Sequence, residues 1–168
     1  MKDFDYSQTG GYFITICVTD RKRILSDIVK TPCEPTSHTV GEGLAPPEYL
    51  VKLKPCGEVT KQQLLELESR YENVTVDSYV IMPNHIHAII FLHEKAGGAS
   101  PSPTLNDVVC TFKSLASRIC KKQYGIEKIF QRSYADHIIR NQDDYKTRIK
   151  YIHENPMRWH YDELYTEE

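Results

Sequence analysis

The segment between residues 74 and 92 constrains the fold of this chain more than any other. Valine stands at 74, 76 and 80 with polar or aromatic residues between, Pro83-Asn84 follows, and Ile86, Ala88 and Ile90 then recur at every second position. Side chains two residues apart share one face of a strand, and a Pro-Asn pair is typical of a turn. The pattern therefore predicts a β-hairpin.

Patterns on the N-terminal side of the hairpin predict one strand and one helix. Residues 12–18, YFITICV, are aromatic or β-branched and predict a buried strand. Apolar residues recur at helical spacing over about 58–70. Between them, residues 31–54 form a Pro-rich insertion, in which Tyr49–Leu53 could pair as a short strand.

Patterns on the C-terminal side predict a helix, a strand and a final helix. Thr104 with Asp107 resembles a helix N-terminus and precedes a strong apolar stripe. Residues 133–139 alternate like a strand, and Asn141 caps a last helix that ends near Asn155, before Pro156. The order strand, helix, hairpin, helix, strand, helix predicts an α+β fold with a largely antiparallel sheet and packed helices.

Composition narrows the functional classes. The 168 residues suit one domain over 1–168, and a net charge of -2 excludes a protein that coats nucleic acid through bulk charge. The five cysteines are odd in number and include no CxxC pair, which argues against a disulfide framework and a cysteine-built zinc site. No apolar leader or membrane-spanning run is present in the sequence, so we expect a soluble, cytoplasmic protein.

Met82-Pro83-Asn84-His85-Ile86-His87 is the sharpest local motif. On a strand, His85 and His87 project from the same face while Ile86 points to the other. Paired imidazoles are metal-ligand geometry, although two buried histidines bonded to their neighbours would give the same pattern.

A second motif, Tyr151-Ile-His-Glu-Asn155, lies on the last predicted helix. Tyr151 and Asn155 are four residues apart and therefore share a helical face, beside a buried stripe of Tyr145, Ile149 and Ile152. Tyr151 is a candidate functional residue or an ordinary interfacial tyrosine.

Five segments in this order carry a resemblance that covers about residues 12–159. YFITICVTDRK, VDSYVIMPNHIHAIIFL, TLNDVVCTFKSLASR, FQRSYADHIIRN and YIHENPMRW resemble the REP-associated tyrosine transposases and related single-tyrosine transposases of the HUH superfamily. The resemblance implies a ferredoxin-like sheet. It also implies a nuclease and strand transferase that cleaves and rejoins single-stranded or hairpin DNA through a 5′-phosphotyrosyl intermediate.

The same resemblance implies roles for particular residues. Tyr151 would be the catalytic nucleophile, and His85, His87 and Asn155 would hold a divalent metal, Mg2+ or Mn2+. Residues 104–160 hold 11 basic and 6 acidic side chains, a balance of +5 that could serve DNA phosphates. The candidate DNA contacts are Lys113, Arg118, Lys121, Lys122, Arg132, Arg140 and Arg148.

Two alternatives stay open at this point, and a third is disfavoured. The chain could be a domesticated relative that nicks and rejoins host repeats, or a catalytically silent nucleic-acid-binding module with the same fold. A small-molecule metalloenzyme is disfavoured, because no further Asp, Glu or His has recognisable ligand spacing. A monomer and a homodimer both remain open, since both occur among the proteins that the chain resembles.

Overall fold

The described part of the chain contains six strands and four α-helices in mixed order. The computed structural model of the protein describes residues 9–30, 49–94 and 103–167. The strands there are β1 (Gly10–Cys17), β2 (Ser26–Lys30), β3 (Tyr49–Leu53), β4 (Val74–Ile81), β5 (His85–Leu92) and β6 (Ala135–Ile139). The helices are α1 (Pro55–Leu65), the short α2 (Leu67–Arg70), α3 (Leu105–Tyr124) and α4 (Gln142–Glu154). No helix within these ranges is long and apolar enough to cross a membrane.

Four strands form one antiparallel sheet in the order β4-β5-β1-β6. The predicted hairpin is the β4–β5 pair, and β1 lies between β5 and β6 and is antiparallel to both. The chain order β1-α1-β4-β5-α3-β6 with this strand order is the ferredoxin-like arrangement. The prediction of an α+β, ferredoxin-like fold is therefore confirmed.

The two faces of this sheet carry different hydrophobic cores, because alternate residues of a strand point to opposite sides. On one face, Ile14 of β1 and Ile86 of β5 pack with α1 and α3. On the other face, Phe13 and Ile89 pack with Ile152 of α4. The odd-numbered residues of β5 therefore point towards α4.

Local capping explains where α3 and α4 begin. Thr104 Oγ1 accepts a hydrogen bond from the Asp107 amide, and the Asp107 carboxylate accepts one from the Thr104 amide, which makes a complete capping box. The Asn141 side chain accepts hydrogen bonds from the amides of Asp143 and Asp144. α4 ends at Glu154, with Asn155 as its C-cap, so the predicted end is confirmed.

Some boundaries differ from the sequence expectation. α1 begins at Pro55 rather than near residue 58, since proline is well suited to the first helical position. The strand Tyr49–Leu53 is confirmed, and it pairs with β2, which the sequence analysis did not predict. Most of the Pro-rich insertion, residues 31–48, lies outside the described residues, so the single-domain assignment stays a prediction.

Candidate metal and tyrosine site

His85 and His87 lie side by side on β5, on the face that α4 covers. Ile86 between them belongs to the opposite core, as the strand pattern predicts. The two ring centroids are 4.6 Å apart, and the residues are 0% and 3% exposed. Polar atoms buried this deeply require a partner or an explanation.

Each imidazole is oriented through its Nδ1 atom. Nδ1 of His85 donates to the amide oxygen of Asn84 at 2.8 Å. Nδ1 of His87 lies 2.9 Å from the hydroxyl of Thr15, which the β1–β5 register places directly opposite His87. The Nε2 atoms of both histidines are buried and have no hydrogen-bond partner in the described part of the chain. Histidines held through one nitrogen with the other nitrogen free are typical of metal ligands.

α4 brings Tyr151 and Asn155 to the same place. The Tyr151 ring meets the His87 ring edge-on at a centroid distance of 5.0 Å, and 42% of the residue is exposed. Asn155 lies one turn later, at the end of the helix, and is only 2% exposed. Its Oδ1 atom is a further buried acceptor without a partner among residues 9–30, 49–94 and 103–167.

Asp162 is part of this site, and sequence reasoning missed it. No ligand spacing in the sequence pointed to Asp162, but the structure brings one potential ligand atom from each of His85, His87 and Asp162 to within 4.8 Å of one another. Oδ2 of Asp162 is 3.9 Å from His85 Nε2 and accepts a hydrogen bond from Asn155 Nδ2 at 3.0 Å. Oδ1 accepts from the Leu164 amide. The acidic composition of residues 161–168 was the only signal that pointed to it.

The segment after α4 is joined to the hairpin turn by Asn84. Nδ2 of Asn84 donates to the carbonyl oxygen of Leu164 at 2.7 Å, while its Oδ1 holds His85. One side chain in the β4–β5 turn therefore fixes both the ring of His85 and the segment that carries Asp162. Asn84 stood inside the quoted motif, where its only expected role was to favour a turn.

Burial keeps both histidines neutral. Loss of solvent is the main cause that lowers the pKa of His85 and that of His87 to about 3. The Arg21 charge lowers the pKa of His85 further, and the His85 ring does the same to His87. Only a neutral imidazole can bind a metal cation through a ring nitrogen, and both of these imidazoles are neutral at neutral pH.

The Tyr151 hydroxyl is also kept in its neutral form. Burial raises its pKa above the ordinary value and the Asp162 charge raises it further, while the Asn155 side chain lowers it. A protonated phenol is a weak nucleophile, so attack from Tyr151 requires help from its surroundings.

The donor set fits a divalent cation. Two imidazole nitrogens, the Asp162 carboxylate and the Asn155 amide oxygen are hard or intermediate ligands, and three of these four groups carry buried acceptor atoms that no described residue satisfies. Mg2+ prefers oxygen ligands, so a set with two imidazoles favours Mn2+ on ligand type.

The seven cations predicted to contact DNA are divided between the two faces of the sheet. Lys113, Arg118, Lys121 and Lys122 lie on α3, which covers the face opposite the histidines. Two of these are engaged: Lys113 donates to the Arg132 carbonyl oxygen and Lys121 pairs with Glu127. The remaining three are Arg132, just before β6, Arg140, just after it, and Arg148, on α4. The guanidinium carbon of Arg148 is 5.3 Å from the Phe13 ring centroid, so this cation is brought to the site.

Comparisons with known proteins find a relative by sequence and solved structures with a similar fold. No family model matches the chain. A protein of Haemophilus influenzae described as uncharacterized is 28% identical, and the alignment covers 99% of this chain and 91% of that protein. A solved structure of a REP-associated tyrosine transposase bound to a REP hairpin superposes with a TM-score of 0.59 at 17% identity, covering 94% of this chain and 74% of that chain. A candidate transposase from Deinococcus radiodurans superposes with a TM-score of 0.50 at 14% identity, covering 93% and 97%.

Proposed function

We propose that this protein is a metal-dependent, transposase-type DNA nuclease and strand transferase that acts on single-stranded or hairpin DNA. The observation that carries the proposal is the placement of Tyr151 against His87, beside two buried Nε2 atoms without partners. The structural similarity to a REP-associated tyrosine transposase bound to a REP hairpin supports the same class of substrate.

In this proposal, His85, His87, Asp162 and the Asn155 amide oxygen hold Mg2+ or Mn2+. When bound, the ion would neutralise charge on a phosphodiester and make its phosphorus more susceptible to attack. The protein's own contribution is orientation. Asn84 and Thr15 fix the two imidazole rings, and Asp162 fixes the Asn155 amide.

Tyr151 supplies the nucleophile. Its oxygen would form a bond to phosphorus while the bond from phosphorus to the 3′-oxygen breaks. The tyrosine proton is lost, and the leaving oxygen takes up a proton to become a 3′-hydroxyl. The product is a 5′-phosphotyrosyl link that conserves the bond energy for rejoining, so no ATP is needed. Because α4 carries both Tyr151 and Asn155, packing of one helix assembles the nucleophile and a metal ligand together.

Two related candidates share this geometry. A domesticated relative would cut and rejoin host repeats with the same residues, and a silent binding module would retain the fold without the chemistry. The deeply buried, unpartnered Nε2 atoms favour an active site over a silent one, because leaving such groups unsatisfied is costly in a purely structural role.

Substitution of the tyrosine hydroxyl tests the proposal. Tyr151→Phe removes the nucleophile alone and should abolish the covalent protein–DNA adduct while DNA and Mn2+ binding persist. Tyr145→Phe is the matched control on the same helix, since the Tyr145 hydroxyl donates to Asp77 rather than facing the histidines. Tyr134→Phe is a second control.

The assay is denaturing electrophoresis of the protein incubated with Mn2+ and end-labelled single strands that carry hairpins, followed by mass spectrometry of the linked peptide. A phosphotyrosyl peptide containing Tyr151 supports the assignment. An adduct that maps to Tyr145 or Tyr134, or that persists undiminished in Tyr151→Phe, would contradict it. Absence of an adduct in every variant, over several hairpin substrates, would favour the silent module.

A further inference from the structure

Arg148 is held beside Tyr151 and the two histidines proposed to bind the metal. It precedes Tyr151 by three residues on α4, so the two side chains lie on neighbouring parts of one helical surface. Its guanidinium group lies over the Phe13 ring. The same ring stacks on His87 with centroids 5.3 Å apart and meets the Tyr151 ring edge-on at 5.9 Å. Phe13 is therefore a shared neighbour of the cation, the nucleophile and one histidine.

Asp144, one helical turn before Arg148, fixes the position of the Arg148 guanidinium group. Nε of Arg148 donates to Oδ1 of Asp144 at 3.3 Å. Oδ2 of Asp144 lies 2.7 Å from Nε2 of His137 on β6 and accepts a hydrogen bond from the Arg140 amide. These contacts involve both carboxylate oxygens, and the hydrogen bond from His137 is the main cause that lowers the pKa of Asp144.

Among the described residues, no acceptor binds the terminal nitrogens of Arg148. Only Nε of the guanidinium group is bonded to an acceptor in the described part of the chain. A simple Asp–Arg pair four residues apart on an exposed helix contributes little to stability. Here His137, which lies on strand β6 rather than on the helix, fixes the Asp144 carboxylate, and the side chain of Arg148 is only 30% exposed. A guanidinium with two free donor groups matches the oxygens of a phosphate.

We propose that Arg148 contacts the phosphate attacked by Tyr151, and that Asp144 and His137 act as positioning residues for it. This inference rests on the proposed function, because it assigns a role in the same reaction. A cation at this place would stabilise the additional negative charge that develops on the phosphate oxygens as the tyrosine oxygen bonds to phosphorus. Asp144 and His137 would not touch the DNA.

Single-turnover cleavage with Mn2+ and end-labelled hairpin-bearing single strands measures the contribution of Arg148. Arg148→Ala should lower the rate at saturating DNA by roughly 10- to 100-fold, the usual cost of losing a charged hydrogen bond in a site. Arg148→Lys should lower the cleavage rate less than Arg148→Ala does, because lysine keeps the positive charge. It should still be slower than the wild-type protein, because lysine lacks the forked pair of donor groups. Lys146→Ala is the matched control: it removes the same charge from an exposed position of α4 and should leave the rate within about twofold.

A double-mutant cycle separates positioning from general structural support. Asp144→Asn should lower the rate several-fold in the wild-type protein but cause no further loss in Arg148→Ala, because its effect would act through Arg148. His137→Gln should behave in the same way. Independent, multiplying losses would overturn the positioning role.

DNA binding measured in a variant that cannot cleave tests the Arg148 contact separately from the proposed function. In a Tyr151→Phe background with Mn2+, adding Arg148→Ala should reduce the slope of log Kd against log salt by about 0.7, the value for one single-strand phosphate contact. A normal Tyr151 adduct together with unchanged rate and slope in Arg148→Ala would overturn the inference alone. No adduct in the wild-type protein, with the slope reduced, would overturn the chemistry but support the phosphate contact. If the wild-type protein forms no adduct and the slope is unchanged, both are wrong.

Discussion

Lowering the pH should destabilise the metal-free protein, because His85 and His87 are buried as neutral imidazoles. Their pKa values in the folded chain are lowered to about 3 from an ordinary value of 6.5. Below the ordinary value, the unfolded chain takes up protons that the folded chain does not. Their contribution to stability is therefore fully present above about pH 6.5, and it is lost as the pH falls from there towards about 3.

The size of the effect follows from this difference in pKa. Between about pH 7.5 and about pH 5.5, one such histidine changes the free energy of unfolding by about 1.4 kcal/mol, and the pair by about 2.7 kcal/mol. The residues are 0% and 3% exposed, so solvent does not weaken the effect. For a chain of this size, the melting temperature should fall by about 5–10 °C from these two residues.

Urea unfolding followed by circular dichroism, with a chelator present, measures this dependence at the two pH values. His87→Gln removes one titrating group and should reduce the pH-dependent loss by about 1.4 kcal/mol. His153→Gln, at an exposed position of α4, is the matched control and should leave the loss unchanged. A full wild-type loss of stability in His87→Gln, or equal stability of the wild-type protein at both pH values, would contradict this role of the buried histidines.

Three further outcomes are expected. Mn2+ at about 100 times its Kd should raise the free energy of unfolding by about 2.7 kcal/mol in calorimetry, and His87→Ala should remove that increase. Equal metal affinity in the wild-type protein and in His87→Ala would refute the site. Asp162→Asn, which keeps the side-chain shape, should weaken Mn2+ binding by about 10-fold or more in titration calorimetry, and unchanged affinity would exclude Asp162 as a ligand. DNA affinity in mobility-shift assays should fall as the salt concentration rises, and a hairpin-bearing single strand should bind more tightly than duplex. The double substitution Lys121→Glu/Lys122→Glu should weaken binding to all DNA sequences to a similar extent. A flat salt dependence would contradict phosphate contacts.

The sequence alone was sufficient for the strands and helices that form the sheet and its helical layers. Alternation around Pro83-Asn84 predicted the β4–β5 pair, and the Thr104 and Asn141 caps predicted where α3 and α4 begin. These signals are local, because a cap or a two-residue alternation depends on neighbours within one turn or one strand. β2 was missed because a short, half-exposed strand has a weak pattern and is stabilised by its partner, β3.

The pairing of His85 with His87 was likewise predictable, since it depends only on the pleat of a single strand. The position of Tyr151 outside the buried stripe of α4 followed from the helical period, and its 42% exposure agrees with that prediction. The roles of Tyr151 and Asn155 came from the resemblance of five segments over about residues 12–159 rather than from either motif alone, and they stay proposals.

Tertiary structure decided what surrounds those residues. Thr15 reaches His87 only because β1 pairs with β5 in one register, and Asp162 reaches His85 only because the segment after α4 returns to the hairpin turn. Such contacts join residues far apart in the sequence, so no local period or spacing encodes them. Of the seven predicted cations, Arg148 lies at the site because α4 packs across that face of the sheet. Four of the others lie on α3, which covers the opposite face. A sequence pattern reports which side of its own element a residue occupies, but the neighbour on that side depends on how the elements pack together.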